Sequence, residues 1–253
     1  MISRLNRFKA CSITFDTDWA PDWCVRDCYE ICKSAGVGAT FFVTDYLPVL
    51  EEIACDPMFE IGIHPNFFPG SSHGDDERSV LKHCLSLLKK VGIDDSKEIS
   101  MRTHGLYQSS HLFYLIASEF PQIRRDVSIL MPFVSGLKPF SYTIFPNIHN
   151  LIRIPYYWED DSATAIENYN WKLTFKNKIL DCGLKIFDFH PIHIALNTEN
   201  MKRYEAIKKN HDIRKLEISD IDKYKNKISR GPKDFLLDIL SKSNGLRICD
   251  LNP

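Results

Sequence analysis

The sequence has no long apolar run. No segment approaches the roughly 18 to 20 consecutive apolar residues that a membrane-spanning helix needs, although 44% of the 253 residues are hydrophobic. An apolar stretch of signal-peptide length is also missing before the first predicted strand, near Ala10. From these absences we expect a cytoplasmic protein without a transmembrane segment.

An excess of charge of one sign is missing as well. The chain has 32 lysines and arginines against 33 aspartates and glutamates, which gives a formal net charge of -1. A nearly neutral chain has no overall field with which to hold a polyanion. We therefore expect no nucleic-acid partner, and the composition does not define an oligomeric state.

A Cys-x2-Cys pair is also absent, although the chain contains eight cysteines. Their dispersal along a long chain favours reduced thiols over a disulfide framework. Cys24, Cys28 and Cys32 recur every fourth residue of a predicted helix, which is a wider spacing than the Cys-x2-Cys of many metal sites. We interpret them as one buried helix face.

The sequence does contain a regular alternation of strand-like and helix-like segments. The predicted strands are "ACSITF", "GATFFV", "MFEIGI", "EISMR" and "LKIFDFH", with three short ones between residues 123 and 155. The predicted helices cover 22–35, 48–54, 77–91, "SSHLFYLIASEF", 162–182, 199–210 and 232–241. This order predicts an α/β fold with parallel strands, either a barrel or an open doubly wound sheet. No linker divides residues 1–253, so we expect a single domain.

Polar side chains directly follow several of the predicted strands. These residues are Asp16, Asp18, His64, Arg102, His104 and His190. In a parallel barrel the carboxyl ends of all strands open onto one face. We therefore expect these side chains to converge there, although they are far apart in the sequence.

The two aspartates of "TFDTD" predict a nearby cation. Side chains two residues apart on a strand share a face, and two close carboxylates do not both stay ionised without a positive charge. An isolated Asp-x-Asp is more often a solvated turn that caps the next helix. The polar residues at the other strand ends favour the cation.

Three histidines are candidate metal ligands. An imidazole together with a carboxylate suits zinc or another divalent transition metal. A catalytic zinc takes three protein ligands and keeps one position open, and Asp18, His64 and His73 form such a set if the loop "GSSHGDD" folds back. His104 is the alternative to His73 as the third ligand.

Arg102 and His190 predict acid and base chemistry beside that metal. Arg102 is placed to orient Asp16 through a bidentate contact, and its alternative is a surface arginine. The strand "IFDFHPIH" places Asp188 beside His190, and a neighbouring carboxylate raises the pKa of an imidazole towards the imidazolium that a general acid needs. We interpret His193 as structural.

Aromatic residues and an acidic run are candidates for a sugar-sized pocket. They are Trp19, Tyr107, Trp158 and residues 159–161 of "IPYYWEDDS". Core packing is at least as common for such aromatic residues, and a bare charge run is usually a solvated loop.

Five motifs in this order resemble the polysaccharide deacetylases of the NodB-homology type, carbohydrate esterase family 4. "TFDTD" resembles the Thr-Phe-Asp-Asp motif with one residue inserted, "ATFFV" resembles the second strand, and "EIGIHPNF" resembles the Glu-Ile-Gly-x-His metal motif. "MRTHG" and "FDFHP" stand where an Arg-x-Pro-x-Gly motif and a late histidine strand are expected. Within that family, "IHPNF", "GSSHG" and "YYWEDD" are most similar to the WbmS-like deacetylases of surface-polysaccharide synthesis.

The resemblance implies a distorted (β/α) barrel of seven or eight mostly parallel strands. It also implies hydrolytic removal of an N-acetyl group from an amino sugar that is nucleotide-linked, lipid-linked or at a glycan terminus, in O-antigen-like synthesis. A divalent metal, usually zinc, is implied, with no organic cofactor. By motif position, Asp16 is the general base, Arg102 orients it, His190 is the general acid, and Asp18 and His64 are metal ligands.

Phe68 departs from the family pattern, because the usual second metal histidine stands there, four residues after His64. We therefore expect His73 to replace it. Three alternatives stay open: a deformylase of a formamido sugar with a smaller acyl pocket, a catalytically inert carbohydrate-binding relative, and an unrelated metallohydrolase, which is favoured if His104 is the ligand. The retained acid and base argue against the inert relative.

Overall fold

The computed structural model describes residues 10–94, 96–144, 149–173 and 183–253. The strands are β1 (Ala10–Asp16), β2 (Ala39–Val43), β3 (Phe59–Ile63), β4 (Ile99–Met101), β5 (Ile123–Leu130), β6 (Phe140–Tyr142), β7 (Leu151–Tyr156), β8 (Trp158–Glu159) and β9 (Leu184–Phe189). The α-helices are α1 (Asp22–Ala35), α2 (Val49–Cys55), α3 (Glu77–Lys90), α4 (Ser110–Glu119), α5 (Asp160–Ala165), α6 (Pro191–Leu196), α7 (Met201–Asn210), α8 (Ile218–Tyr224) and α9 (Pro232–Leu240). Among these helices, none has the length and apolar character needed to cross a bilayer.

The strands form one sheet in the order β6-β7-β5-β4-β3-β2-β1-β9-β8. Only the pairing of β6 with β7 is antiparallel among the described pairings. The central strands are buried along nearly their whole length, as expected where both faces of a parallel sheet are covered. The predicted α/β fold with a mostly parallel sheet is therefore confirmed.

One residue, Tyr157, separates β7 from β8. β7 pairs with β5, whereas β8 pairs with β9, and the Tyr157 amide donates a hydrogen bond to the carbonyl of Ile186 at 3.0 Å. Residues 151–159 thus pair with β5 and with β9, which lie towards opposite ends of the strand order. Closure into the expected barrel stays a prediction that this connection favours.

Apolar side chains fill the space between the sheet and the helices. Cys24, Cys28 and Cys32 of α1 are fully buried, which confirms that they form a packed helix face, and the cysteines that the structure describes are free thiols. A second apolar cluster joins β2, β7 and β9 to Ile248 and Leu251 near the C-terminus. These contacts fix the strands whose carboxyl ends carry the polar residues.

The long helix predicted over 162–182 is not observed as such. α5 ends at Ala165, and the next residue, Ile166, is extended. Asn168 has a positive φ of 57°, a left-handed conformation that does not continue an α-helix. Residues 174–182 of the predicted helix lie outside the described residues.

Gly62 of β3 is packed too closely for a side chain. A β-carbon at this position would lie 2.5 Å from the carbonyl oxygen of Ser100 and 2.8 Å from the ring of Phe42. We predict that Gly62→Ala lowers the free energy of unfolding by about 1–3 kcal/mol, because the neighbouring strand must move. At an uncrowded position the same change would stabilise the protein by reducing the entropy of the unfolded chain. Urea unfolding checks this, and an increased midpoint would contradict the close packing.

Candidate metal centre and active site

The polar residues that follow the strands converge on one cavity of about 270 Å3. Asp16 ends β1, His64 follows β3, and His190 follows β9, and all three line the cavity. His104 and Asp18 line it as well. The expected convergence at the carboxyl ends of parallel strands is therefore observed.

Arg102 lies fully buried beneath this cavity. Its Nη1 donates hydrogen bonds to Asp16 Oδ1 at 2.9 Å and to Thr14 Oγ1 at 2.9 Å, and it also contacts Asp188 Oδ1. Burial alone would lower the pKa of Arg102, but the charges of Asp16 and Asp188 outweigh it and raise the pKa. The expected bidentate contact is not observed, because one nitrogen serves both carboxylates.

Asp18 stands in a turn and not on the strand. β1 ends at Asp16, and Asp18 and Trp19 have positive φ values of 37° and 58°, which are strained for residues with a β-carbon. The idea that both aspartates share one strand face is therefore wrong. They lie instead on two sides of His64, whose Nδ1 is 3.7 Å from Asp16 Oδ2 and whose Nε2 is 3.1 Å from Asp18 Oδ1.

Asp18, His64 and His104 form a compact triangle of ligand atoms. Asp18 Oδ1 is 3.1 Å from His64 Nε2 and 3.1 Å from His104 Nδ1, and the two nitrogens are 3.3 Å apart. Burial would raise the pKa of Asp18, but its hydrogen bonds to histidines, first that to His104, lower the pKa well below its ordinary value. The carboxylate is therefore held in its ionised form.

This triangle has the dimensions of one face of a tetrahedral metal site. Zinc ligands at about 2.0–2.1 Å from the ion lie about 3.3 Å from one another. Hydrogen bonding alone satisfies the triangle poorly, because two N–H groups that both donate to Asp18 would also point towards each other. One cation accepts all three lone pairs, so the residues fit a divalent metal.

His73 lies away from this triangle. Its Nδ1 accepts a hydrogen bond from the Asn66 amide at 3.1 Å and lies 3.6 Å from Cys84 Sγ. Its ring stacks on His83 with 5.0 Å between the centroids, and burial, followed by the charge of His83, lowers the pKa of His73 to about 4. In the structure, His104 and not His73 lies with Asp18 and His64 in a group that could hold a metal ion. His73 as the third ligand stays a prediction that this arrangement does not favour.

His190 is held by a carboxylate that the sequence did not assign to it. Its Nδ1 lies 2.7 Å from Asp160 Oδ1, and its backbone amide donates to Asp160 Oδ2 at 2.9 Å. Burial would lower the pKa of His190, but the charges of Asp161 and Asp160 raise it well above the ordinary value. The imidazolium is therefore favoured by Asp161 and Asp160 rather than by Asp188, which contacts Arg102 instead.

The acidic run 159–161 is thus part of the site and not a solvated loop. Asp160 is fully buried, and Asp161 accepts a hydrogen bond from His193 Nε2 at 2.8 Å. His193 also contacts Thr198 Oγ1 at 3.1 Å, in keeping with a structural role. The weak signal in the sequence was that the run stands shortly after the last of the predicted short strands, which ends at residue 155.

The aromatic candidates separate into two groups. Trp158 packs in the core against Phe187, Phe189 and Phe235, so of its two interpretations core packing is the one observed. Trp19 contacts the edge of the His104 ring, with 5.1 Å between centroids. Trp19 therefore packs against His104, one of the candidate metal ligands.

The fold and the site together define an α/β protein with a carboxylate–imidazole cluster above a buried arginine. A model of the WbmS-like polysaccharide deacetylases matches residues 13–208, and the chain belongs to this family. One similar solved structure is WbmS from Bordetella bronchiseptica, described as a candidate polysaccharide deacetylase involved in O-antigen biosynthesis. It is 31% identical, with a TM-score of 0.78, over 95% of this chain and 93% of that chain.

Among curated proteins, no sequence matches the chain. Membership of the family confirms the resemblance found in the sequence motifs. It also overturns the alternative of an unrelated metallohydrolase, even though His104 lies with Asp18 and His64 in the candidate cluster.

We predict that His104→Ala lowers the affinity of the protein for zinc by at least about 10²-fold, because a ligand of the triangle is lost. The matched variant His73→Gln is expected to keep stoichiometric metal, since His73 contacts Asn66 and Cys84 instead. Titration calorimetry and metal analysis of the purified proteins check both. Loss of zinc from the His73 variant with retention in the His104 variant would reverse the assignment.

Proposed function

We propose that the protein is a metal-dependent hydrolase that removes the N-acetyl group from an amino sugar in the synthesis of an O-antigen-like surface polysaccharide. The observation that carries this proposal is the convergence of a ligand triangle, an arginine-bound carboxylate and a carboxylate-bound histidine on one cavity. Membership of the polysaccharide deacetylase family supports the reaction class. The similarity to WbmS supports the pathway.

Zinc is the metal that the donor set favours, held by Asp18, His64 and His104. Two imidazoles and one carboxylate are a ligand set of catalytic zinc sites, which keep a further position open. When bound, the cation supplies Lewis-acid polarisation of the amide carbonyl and lowers the pKa of water. The proton transfers of the reaction are carried out by the side chains around the cation.

Asp16 acts as the general base in this proposal. Arg102 holds its Oδ1 at 2.9 Å, while its Oδ2 is 3.7 Å from His64 Nδ1 and outside hydrogen-bond distance. Oδ2 is therefore the oxygen that takes a proton from water as the water attacks the carbonyl carbon. The arginine balances the negative charge of Asp16 throughout the reaction.

His190 acts as the general acid. Asp160 binds its Nδ1, so Nε2, which lies 3.3 Å from Asp18 Oδ2, carries the proton that is transferred. As the C–N bond breaks, this proton goes to the departing nitrogen, which leaves acetate and a free amino sugar. An inert carbohydrate-binding relative would have no use for this separate acid and base.

A distorted barrel also fits the site. Arg102 follows β4, yet its guanidinium lies 4.7 Å from the ring of Phe42 in β2 and 4.5 Å from that of Tyr156 in β7. A side chain that reaches strands on both sides of the sheet is typical of a closed interior. The single domain and the cytoplasmic location stay predictions.

Asp16→Asn is expected to lower kcat for acetate release by about 10²- to 10⁴-fold, because the amide keeps the shape of the side chain and accepts no proton. Acetate and formate release are measured with N-acylated sugars in nucleotide-linked, lipid-linked and oligosaccharide form, with zinc removed by a chelator and then restored. Formate release without acetate release would favour the deformylase.

The matched control is Asp222→Asn, an exposed carboxylate 3.9 Å from Lys227. It is expected to keep the parent rate. Acetate release that survives Asp16→Asn unchanged would remove the proposed base.

Asp160→Asn is expected to lower kcat by about 10²-fold while KM and zinc content stay close to those of the parent, because Asp160 positions His190 and touches no substrate. Steady-state kinetics and metal analysis check this split. A rise in KM with an unchanged kcat would contradict a positioning role for Asp160.

A further inference from the structure

The positive charges of the chain are concentrated in residues 201–233. This segment contains eleven lysines and arginines against five aspartates and glutamates, which gives a net charge of +6. The other 220 residues therefore carry a net charge of -7, so the near neutrality of the whole chain comes from two oppositely charged parts. A charge separation of this kind orients a protein in the field of an anionic surface.

Several cations of this segment have no carboxylate partner. Its ion pairs use Arg203, Lys215, Lys227, Arg230 and Lys233. Lys209, Lys223 and Lys225 form no ion pair within the part of the chain that the structure describes, and the first two are exposed. Lys223 stands two residues after the buried Ile221 of α8, which places it about 200° around the helix, on the opposite face. These charges are therefore available to an anionic partner.

The same segment exposes two isoleucines. Ile218, at the start of α8, is 62% exposed, and Ile228 is 100% exposed. The turn around Ile228 is held by the buried side chain of Asn226, whose Oδ1 accepts hydrogen bonds from the amides of Ile228 and Ser229 at 3.1 Å. The Nδ2 of Asn226 donates to the carbonyl of Asn197 at 3.1 Å. The turn is thus attached to the body of the protein, and its isoleucine is held in an exposed position.

The basic segment borders the candidate active site. The Arg214 guanidinium lies 5.5 Å from the ring of Trp19, which packs against the candidate ligand His104. Tyr204 of α7 packs edge-on against His193, with 4.9 Å between the ring centroids, and His193 lies in the helix that follows β9. A surface that met this segment would therefore lie beside the active-site cavity.

The combination of exposed isoleucines and available lysines indicates a lipid bilayer as the partner. Apolar side chains that enter the interfacial region of a bilayer add to the attraction between lysines and anionic head groups. A second copy of the chain would bring the same positive charge against itself. A nucleic acid would attract the lysines, but its phosphates offer no apolar contact to the isoleucines.

We propose that the exposed side chains of residues 201–233 form a basic surface that docks on an anionic membrane, and that the acylated sugar is presented to the active site by a lipid of that membrane. The choice of a lipid-linked donor rests on the proposed function, whereas the docking surface does not. Because the basic surface borders the cavity, a sugar attached to a lipid of the same bilayer is held close to the candidate metal ligands. Among nucleotide-linked, lipid-linked and glycan-terminal sugars, the lipid-linked form therefore fits best.

The test measures co-sedimentation of the zinc-loaded full chain with vesicles of phosphatidylcholine, with and without about 30% phosphatidylglycerol. The parent is expected to bind the anionic vesicles and to lose at least about tenfold in affinity between about 0.1 and 0.5 M salt, because salt screens the charges. Lys223→Gln/Lys225→Gln is expected to bind at least about tenfold more weakly, since two cations near the head groups are lost. Ile228→Ser is expected to bind about tenfold more weakly, because one inserted apolar side chain is lost.

Matched controls remove the same kinds of side chain elsewhere. Lys82→Gln/Lys90→Gln removes two exposed lysines of α3, and Phe133→Ser removes an apolar side chain that is 60% exposed. Both controls are expected to bind like the parent. Equal binding to neutral and anionic vesicles, an equal loss in the controls, or an Ile228→Ser variant that binds like the parent would overturn the proposal. Tighter binding to a DNA duplex than to anionic vesicles would also overturn it.

Acetate release distinguishes the docking surface from the proposed reaction. With N-acetylglucosamine linked through diphosphate to a lipid in the anionic vesicles, Ile228→Ser is expected to lower the rate about tenfold at limiting vesicle concentration. With uridine-diphosphate N-acetylglucosamine in solution, the same variant is expected to keep the parent rate. Faster release from the nucleotide-linked donor than from the lipid-linked donor would overturn the choice of donor. Vesicle binding that depends on Lys223, Lys225 and Ile228 without release from either donor would reject the deacetylase reaction and leave the docking surface standing.

Discussion

The buried positive charge of Arg102 is the constraint on which the site depends. A fully buried guanidinium is costly unless opposite charges balance it, and here Asp16 and Asp188 do so from neighbouring strands. The rings of Phe42 and Tyr156 lie 4.7 and 4.5 Å from the guanidinium and shield it from water. Because the same contact fixes Asp16, the position of the proposed base follows from the need to neutralise the arginine.

A second group of oppositely charged side chains lines the cavity next to the Arg102 group. Asp18 is ionised among imidazoles, and His190 is held as an imidazolium by two carboxylates of the run 159–161. His64 is the link between the sets, with one ring nitrogen 3.7 Å from Asp16 and the other 3.1 Å from Asp18. The proposed proton acceptor, Asp16, and the proposed metal ligand, Asp18, are thus held on opposite sides of one imidazole, so the distance between them does not vary independently.

The apolar periodicity of the sequence predicted most of the strands and helices. The features that it did not predict depend on contacts between residues far apart in the chain. The helix expected over 22–35 is observed as Asp22–Ala35, because its apolar spacing and flanking Pro21 and Gly36 act within one segment. The two-residue β8 and the short α6 carry no such pattern. The bond between Asp160 and His190 spans 30 residues and the turn at Asp18 is left-handed, so neither follows from strand alternation.

Phe68 and His104 together account for the departure of the candidate metal site from the family pattern. Phe68 stands where the usual second metal histidine is expected, and an aromatic ring there provides no ligand atom. The second nitrogen of the triangle belongs instead to His104, which follows β4 and whose ring lies 5.9 Å from that of Phe68. With His104 at another strand end, the triangle of candidate ligand atoms is complete without position 68. The exposed ring at this position lines a neighbouring cavity instead, so the departure of Phe68 from the family motif leaves the candidate ligand set intact.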